Sequence, residues 1–326
     1  ISLIELENYY RNAKKRFDED ESFKKQAQEE VVTLQAQDPR SLKIWQRLID
    51  ISEQAYNEIY DLMDIKLITR GESFYNPMLA DTVDMLEKQQ LITDSDGAKC
   101  IFLEGYENRE GQPLPLIVKK SDGAYNYATT DLSAILHRVQ QEKAKWIIVV
   151  TDSGQSQHFD MVFKTAQKAG FYDPNTTRID HVPFGVVLRA DGKKFKTRSG
   201  DTEKLIDLLN NAISRAEAIL REREPEEDTD LLKLKAKNLG INAVKYADLS
   251  CHRCSDYTFS YDRMLQFEGN TAAFLLYAYV RVQSIERKIS ISSKELIQNT
   301  KINLEHPAEI ALALAAAQFH DTLILA

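Results

Sequence analysis

The chain has 326 residues, 43% of them hydrophobic and 28% charged, with 12 Gly and 8 Pro. That is the profile of a soluble, helix-rich globular protein with room for two cores, and it excludes disordered and fibrous classes. A net charge of −8 and a pI near 5.4 exclude a general nucleic-acid coat, which needs a basic surface, but not an enzyme that gathers its cations into local patches.

No apolar run approaches the roughly 18–20 residues that span a bilayer, and no signal peptide opens the chain. The three cysteines are an odd number, which fits a reducing, cytoplasmic setting better than a disulfide scaffold. The chain starts at Ile1 instead of Met and stops inside the helical run Ala311–Ala326, the pattern expected of a piece of a longer protein.

Residues 1–66 read as helical. Asp38 followed by Pro39 supplies an N-cap and a first-turn proline, after which Leu42, Trp45, Leu48, Ile49, Ala55, Ile59 and Leu62 recur at helical spacing. From Asp94 to Val118 short apolar runs are broken by Gly and Asp, as in a small hairpin-rich insertion. Trp146–Val150 is a continuous apolar run, predicted as a parallel strand buried on both faces. A helix from about His158 to Lys168, closed by Gly170, follows it. A second strand over Val182–Leu188, the polar loop 189–200 and a helix through Leu220 complete the rhythm of a doubly wound α/β sheet. In such sheets ligands bind beyond the carboxyl ends of the strands, so the loops 151–157 and 189–200 are where chemistry is expected. The charged break Arg221–Asp230 ends this region, and Leu231 onward reads as a separate helical bundle.

Four constellations stand out, each with an ordinary reading beside the chemical one. The loop 191–200 packs Lys193, Lys194, Lys196 and Arg198 between two glycines. It would suit a clamp on a polyphosphate or a solvated turn. Gln155, Gln157 and His158 sit where a strand ends and would suit a nucleotide, a small substrate or simple helix capping. Tyr127 and Asp131 at i,i+4 put a ring and a carboxylate on one helix face, which suits a cationic ligand or a cap and core. Cys251 and Cys254 supply only half the ligands of a structural zinc site, and Cys100 is the one other cysteine, so no metal is expected there.

Seven stretches, taken in order, resemble the arginyl-tRNA synthetases, a family of class I aminoacyl-tRNA synthetases. They are Gly71–Tyr75, Asp122–Asp131, Asp152–His158, Phe184–Val186, Lys194–Arg198, Val244–Ser250 and Phe267–Thr271. The resemblance implies an α/β Rossmann-like class I catalytic core over residues 1–220, partial and carrying helical and hairpin insertions. An all-α anticodon-binding bundle, also partial, would occupy 221–326. It implies an ATP-dependent ligase that forms arginyl-adenylate and transfers arginine to the 3′ end of tRNA(Arg), a cytoplasmic monomer with Mg2+ accompanying the ATP.

Carried over by position, Glu72 and Asp131 resemble the carboxylates that grip a guanidinium, with Tyr127 against it and Gln155 completing the amino-acid site. This agrees with the planar, permanently charged nature of that group. Gln157 and His158 resemble residues of the ATP side, and Gly185 and Val186 the backbone that receives adenine. Lys194–Arg198 is similar to a divergent KMSKS loop, with Lys194, Lys196 and Arg198 as the candidate catalytic cations. Tyr277, Tyr279, Arg281 and Arg287 are candidates for RNA contact, with helix core as the alternative for the tyrosines. The family's His-x-Gly-His motif has no counterpart, since no two of His137, His158, His181, His252, His306 and His320 are three apart. By the resemblance that motif lies before the region matching Ile1, so residues 1–326 alone are expected to be inactive. Two competing readings are a non-catalytic tRNA-binding or regulatory relative, and another nucleotidyl-transferring Rossmann enzyme.

Overall fold

A computed structural model describes residues 3–188, 192, 204–289, 293–299 and 301–325. The cationic stretch with Lys194, Lys196 and Arg198 lies outside the described residues. By contacts the chain divides into two compact units, Ile1–Leu265 and Gln266–Ala326.

The first unit opens with three helices, α1 (Leu3–Glu19), α2 (Glu21–Gln35) and α3 (Pro39–Leu62). Two aspartates punctuate the helical stretch. Asp20 accepts from the Phe23 N–H at 3.0 Å to start α2. Asp38 accepts from the Arg40 and Ser41 N–H groups, both at 3.0 Å, to start α3 with Pro39 in its first turn. A 3₁₀ segment, Glu72–Met78, then leads into α4 (Leu79–Lys88).

The hairpin-rich insertion is a three-stranded antiparallel meander, β1 (Thr93–Ser95), β2 (Ala98–Glu107) and β3 (Pro113–Lys119). Asp96 and Gly97, with φ of 50° and 77°, form the two-residue turn between β1 and β2, a place where left-handed backbone is required. One face of this sheet shares a core with α5 (Tyr127–Gln140) and the helix that follows. Leu86, Ile101, Val118, Leu132, Ile135 and Val162 sit at its centre, almost wholly buried.

The parallel unit comes next: β4 (Trp146–Asp152), a 3₁₀ turn Ser153–Gln155, α6 (Ser156–Lys168) and β5 (Arg178–Phe184). The two strands pair in register from Trp146 with Arg178 to Asp152 with Phe184. The expectation that β4 is buried on both faces is not met. Ile147 is 5% exposed, but Trp146, Ile148 and Val150 on the other face are 56%, 49% and 60% exposed. Among the described residues β4 pairs only with β5, and the exposures show that this face is left open. The predicted strand Val182–Leu188 is also two pieces. β5 ends at Phe184, Gly185–Val186 break the ladder, and β6 (Val187–Leu188) belongs to another sheet.

α7 (Leu205–Arg223) and α8 (Thr229–Leu249) form a tight antiparallel pair. A Cβ on Gly240 would stand 2.7 Å from the Ile213 Cα, so the two backbones touch where only glycine fits. The charged break Arg221–Asp230 is the turn of this pair. Lys235 is ion-paired with Glu224 and Glu227, and Asp228 caps α8. Contacts therefore keep α8 with the α/β part, and the compact units divide at 265/266. The unit closes with β7 (Tyr257–Thr258), parallel to β6, and α9 (Tyr261–Met264).

The second unit holds α10 (Ala272–Ile289), α11 (Ser293–Asn299) and α12 (Pro307–Leu325). α12 corrects the reading that no segment reaches membrane-spanning length. Its 19 residues, with mean hydropathy 1.3, suffice by length and composition alone.

Candidate functional site

The site is built on the first turns of α5 and α6, at the carboxyl ends of the parallel strands. Gln35 holds the approach to α5 with both ends of its amide. Its oxygen accepts from the Tyr125 N–H at 3.1 Å, and its nitrogen donates to the Tyr125 carbonyl at 3.5 Å. Asn126 then caps the helix. The next residue, Tyr127, projects its ring outward at 63% exposure, and Asp131 follows one turn on.

Asp131 is half-buried, and its Oδ2 lies 2.7 Å from His158 Nε2 on α6. The Tyr127 and His158 rings meet edge to face with centroids 5.5 Å apart, and His158 also packs edge-on against Phe159. Three sequence-predicted residues are thus in direct contact. With Oδ2 engaged by the imidazole, Asp131 keeps its Oδ1 for a ligand, a geometry suited to the charge-assisted bonds of a cationic group.

The loop after β4 is organised by Asp152. Its Oδ1 accepts from the Gly154 N–H at 2.9 Å, and its Oδ2 from the Gln155 amide at 2.8 Å. With its NH₂ bonded to Asp152, Gln155 has its amide carbonyl oxygen as the acceptor it could offer, the chemistry that suits an ammonium. Gln157 is exposed on the first turn of α6. Behind this loop Thr151 Oγ1 and His181 Nε2 are 2.7 Å apart. Burial lowers the pKa of His181 below the ordinary histidine value, with Asp152 opposing and Arg253 adding to the shift.

Glu72 stands exposed in the first turn of the 3₁₀ segment. The segment and the start of α4 are docked on α5 by buried Tyr75 and Leu79 against Ala134, and the segment also by Phe74 edge-on to His137 at 5.1 Å. Arg70 lies 4.7 Å above the Phe74 ring and is ion-paired with Glu142. Ala134 is one turn beyond Asp131, so Glu72 belongs to a segment anchored on the helix that carries the second carboxylate.

Asp152 and Phe184 are register partners, which puts Gly185 and Val186 beside the Gln155 loop. Their N–H groups are engaged within the chain. Gly185 donates to the Arg253 carbonyl at 2.8 Å and Val186 to Asp256 Oδ1 at 2.7 Å. Cys254, read in the sequence as half of a possible metal pair, lies 3.6 Å by its sulfur from the Pro183 carbonyl, and Cys251 3.2 Å from the Ala247 carbonyl. Tyr277, Tyr279, Arg281 and Arg287 are all exposed on α10. At 100° per residue Tyr277 and Arg281 share a face, while Tyr279 points from the far side.

Sequence reasoning missed Asp152, Arg253 and Asp256. An Asp two residues before Gly154 is a local turn signal that could have flagged Asp152. Arg253 and Asp256 carry no such signal, because their partners lie 70 residues earlier.

A parallel strand–helix–strand unit with a polar cluster at its carboxyl ends, joined to an all-helical unit, defines a Rossmann-like α/β core with an appended helical domain. Residues 1–261 match the family of class I (R) tRNA synthetase catalytic domains, and residues 275–326 match the DALR anticodon binding domain. The chain belongs to the arginyl-tRNA synthetase family of class I synthetases. It is 57% identical over 323 residues to the arginine–tRNA ligase of Protochlamydia amoebophila, covering 99% of this chain and 55% of that protein. To that of Nostoc sp. it is 52% identical, with 99% and 55% covered. The crystal structure of arginyl-tRNA synthetase from Plasmodium falciparum superposes with a TM-score of 0.76 at 34% identity, over 92% of this chain and 50% of that one. The chain spans about half the length of the curated relatives it matches.

Proposed function

We propose that the protein carrying this chain is an arginine–tRNA ligase. A carboxylate oxygen of L-arginine attacks the α-phosphorus of ATP and pyrophosphate leaves, giving arginyl-adenylate. A hydroxyl at the 3′ end of tRNA(Arg) then attacks the arginyl carbonyl carbon, and AMP leaves. The observation that carries this reading is the contact set Tyr127–Asp131–His158 beside Gln155, at the carboxyl ends of the parallel strands.

In this reading Glu72 and Asp131 hold the guanidinium, whose planar fork matches carboxylates, and Tyr127 lies along it. The Gln155 carbonyl receives the α-ammonium. Gln157, His158, Gly185 and Val186 form the nucleotide side, with His158 at the seam between the two ligands. Lys194, Lys196 and Arg198 are proposed to stabilise charge on the leaving pyrophosphate. Mg2+ is proposed to come with the phosphates of ATP. The helical unit, with Tyr277, Tyr279, Arg281 and Arg287, is proposed to meet tRNA; the enzyme is proposed to act as a cytoplasmic monomer, and residues 1–326 alone to be inactive.

The test is calorimetric titration of L-arginine into the full-length protein, with L-lysine and citrulline as controls. Arginine alone is expected to bind. Asp131→Asn is expected to weaken arginine at least about tenfold, roughly 1.4 kcal/mol, and to leave ATP affinity unchanged. Equal losses of both, or binding of lysine as tight as that of arginine, would count against the assignment.

A further inference from the structure

The stretch Arg253–Phe259 lies 70 residues away in sequence from the segment Pro183–Leu188, yet it contacts that segment at nearly every residue. The Arg253 guanidinium donates to the Pro183 carbonyl, and the Arg253 carbonyl receives the Gly185 N–H at 2.8 Å. The Ser255 backbone lies so close to Gly185 that a Cβ there would stand 2.4 Å from the Ser255 oxygen. Asp256 Oδ1 accepts the Val186 N–H at 2.7 Å. β7 then continues the ladder: Tyr257 N donates to the Val186 carbonyl at 3.3 Å and Phe259 N to the Leu188 carbonyl at 3.0 Å. The strap therefore fixes the chain from Pro183 to Leu188, the end of β6.

The sequence at this point has no local reason to hold its shape. The β4–β5 ladder ends at Asp152 and Phe184, so Gly185–Val186 lies beyond it between two sheets, and a glycine there adds backbone freedom. A link between two sheets keeps one conformation only when its N–H groups find partners, and here both partners come from the strap. Asp256 supplies the one that is a side chain and a charge.

We propose that Arg253–Thr258 is the positioning element of the nucleotide side, with Asp256 as its chief positioning residue, holding the Gly185–Val186 backbone at the height and tilt that an adenine ring needs. The inference rests on the reading of Gly185–Val186 as that backbone. Asp256 touches no substrate; it acts through the Val186 N–H. It also leaves the arginine side alone, because Glu72, Tyr127, Asp131 and Gln155 make no bond to the strap among those described.

The experiment uses the full-length protein and arginine-dependent ATP–pyrophosphate exchange, with arginine affinity measured separately by calorimetry. Asp256→Ala is expected to raise the KM for ATP about tenfold, the scale of one lost hydrogen bond to a charged group, with arginine affinity within about twofold of wild type. Asp256→Asn keeps an acceptor at the same place and is expected to recover most of that loss, which separates positioning from a failure to fold. An unchanged KM for ATP in Asp256→Ala, a parallel loss of arginine affinity, or an Asn variant as impaired as the Ala variant overturns the proposal. Absence of exchange in the unsubstituted protein would instead overturn the reading on which it rests.

Discussion

At Gly185 a single hydrogen atom decides whether two distant segments can meet. Adding a methyl group would place carbon 2.4 Å from the Ser255 carbonyl oxygen and 2.8 Å from the Asp256 nitrogen, and neither atom belongs to a flexible side chain. Gly185→Ala is expected to destabilise by about 1–3 kcal/mol, the usual cost of overpacking, seen as a lower urea midpoint with unchanged slope. The same variant is expected to raise the KM for ATP more than that for arginine. The residues of the site divide by how far their partners lie along the chain. Tyr127 and Asp131 were legible because i,i+4 spacing on a helix is a local fact, and the glutamines and His158 because they follow a recognisable strand. The bond between Asp131 and His158 crosses 27 residues and no periodicity announces it. Asp256 reads as an ordinary loop aspartate until the fold brings Val186 to it.

Among the elements, the β4–β5 pair carries a titratable group whose sign can be worked out. His181 is neutral-preferring in the folded state, because burial depresses its pKa, while the unfolded chain titrates near the ordinary value of about 6.5. The unfolded state therefore binds more protons in acid. The contribution of His181 is complete above that ordinary value and is lost as pH falls toward and through the depressed one. The Tm is expected to drop between pH 7.5 and pH 5, and His181→Gln, which can keep a bond to Thr151, is expected to drop less over that interval. Equal drops would assign the acid sensitivity to other groups. Helix ends give a simpler test. Asp38→Ala removes the acceptor for two N–H groups of α3 and is expected to cost about 1 kcal/mol, read by chemical denaturation. Both the Asp38–Pro39 start and the parallel strand–helix–strand order were legible, since each is written in consecutive residues. The split of 182–188 between two sheets was not, because β6 exists only through its pairing with β7. The Arg221–Asp230 run is the turn of the α7–α8 hairpin: charge density marks solvent, and such a turn is as wet as a domain linker.

For the molecule as far as its residues are described, what the sequence could not convey is which surfaces lack a covering layer among them. β4 reads as a doubly buried strand, and its composition suits that, yet one of its faces is open among the described residues. That open face carries Trp146, whose indole N–H is bonded to Asp180 at 2.6 Å and whose ring lies 4.8 Å from the Arg178 guanidinium carbon. Residues 1–326 hold two tryptophans, and in that stretch replacing Trp45 by Phe would leave Trp146 as the one indole. The face would then carry its own optical gauge. In dilute buffer its emission should be that of a wet indole, easily quenched by iodide or acrylamide. Sulfate, which strengthens the burial of apolar surface, should shift the emission to the blue and shield it from quencher as copies associate through the face. A spectrum indifferent to sulfate while light scattering rises would place the sticky surface elsewhere, away from Ile148 and Val150.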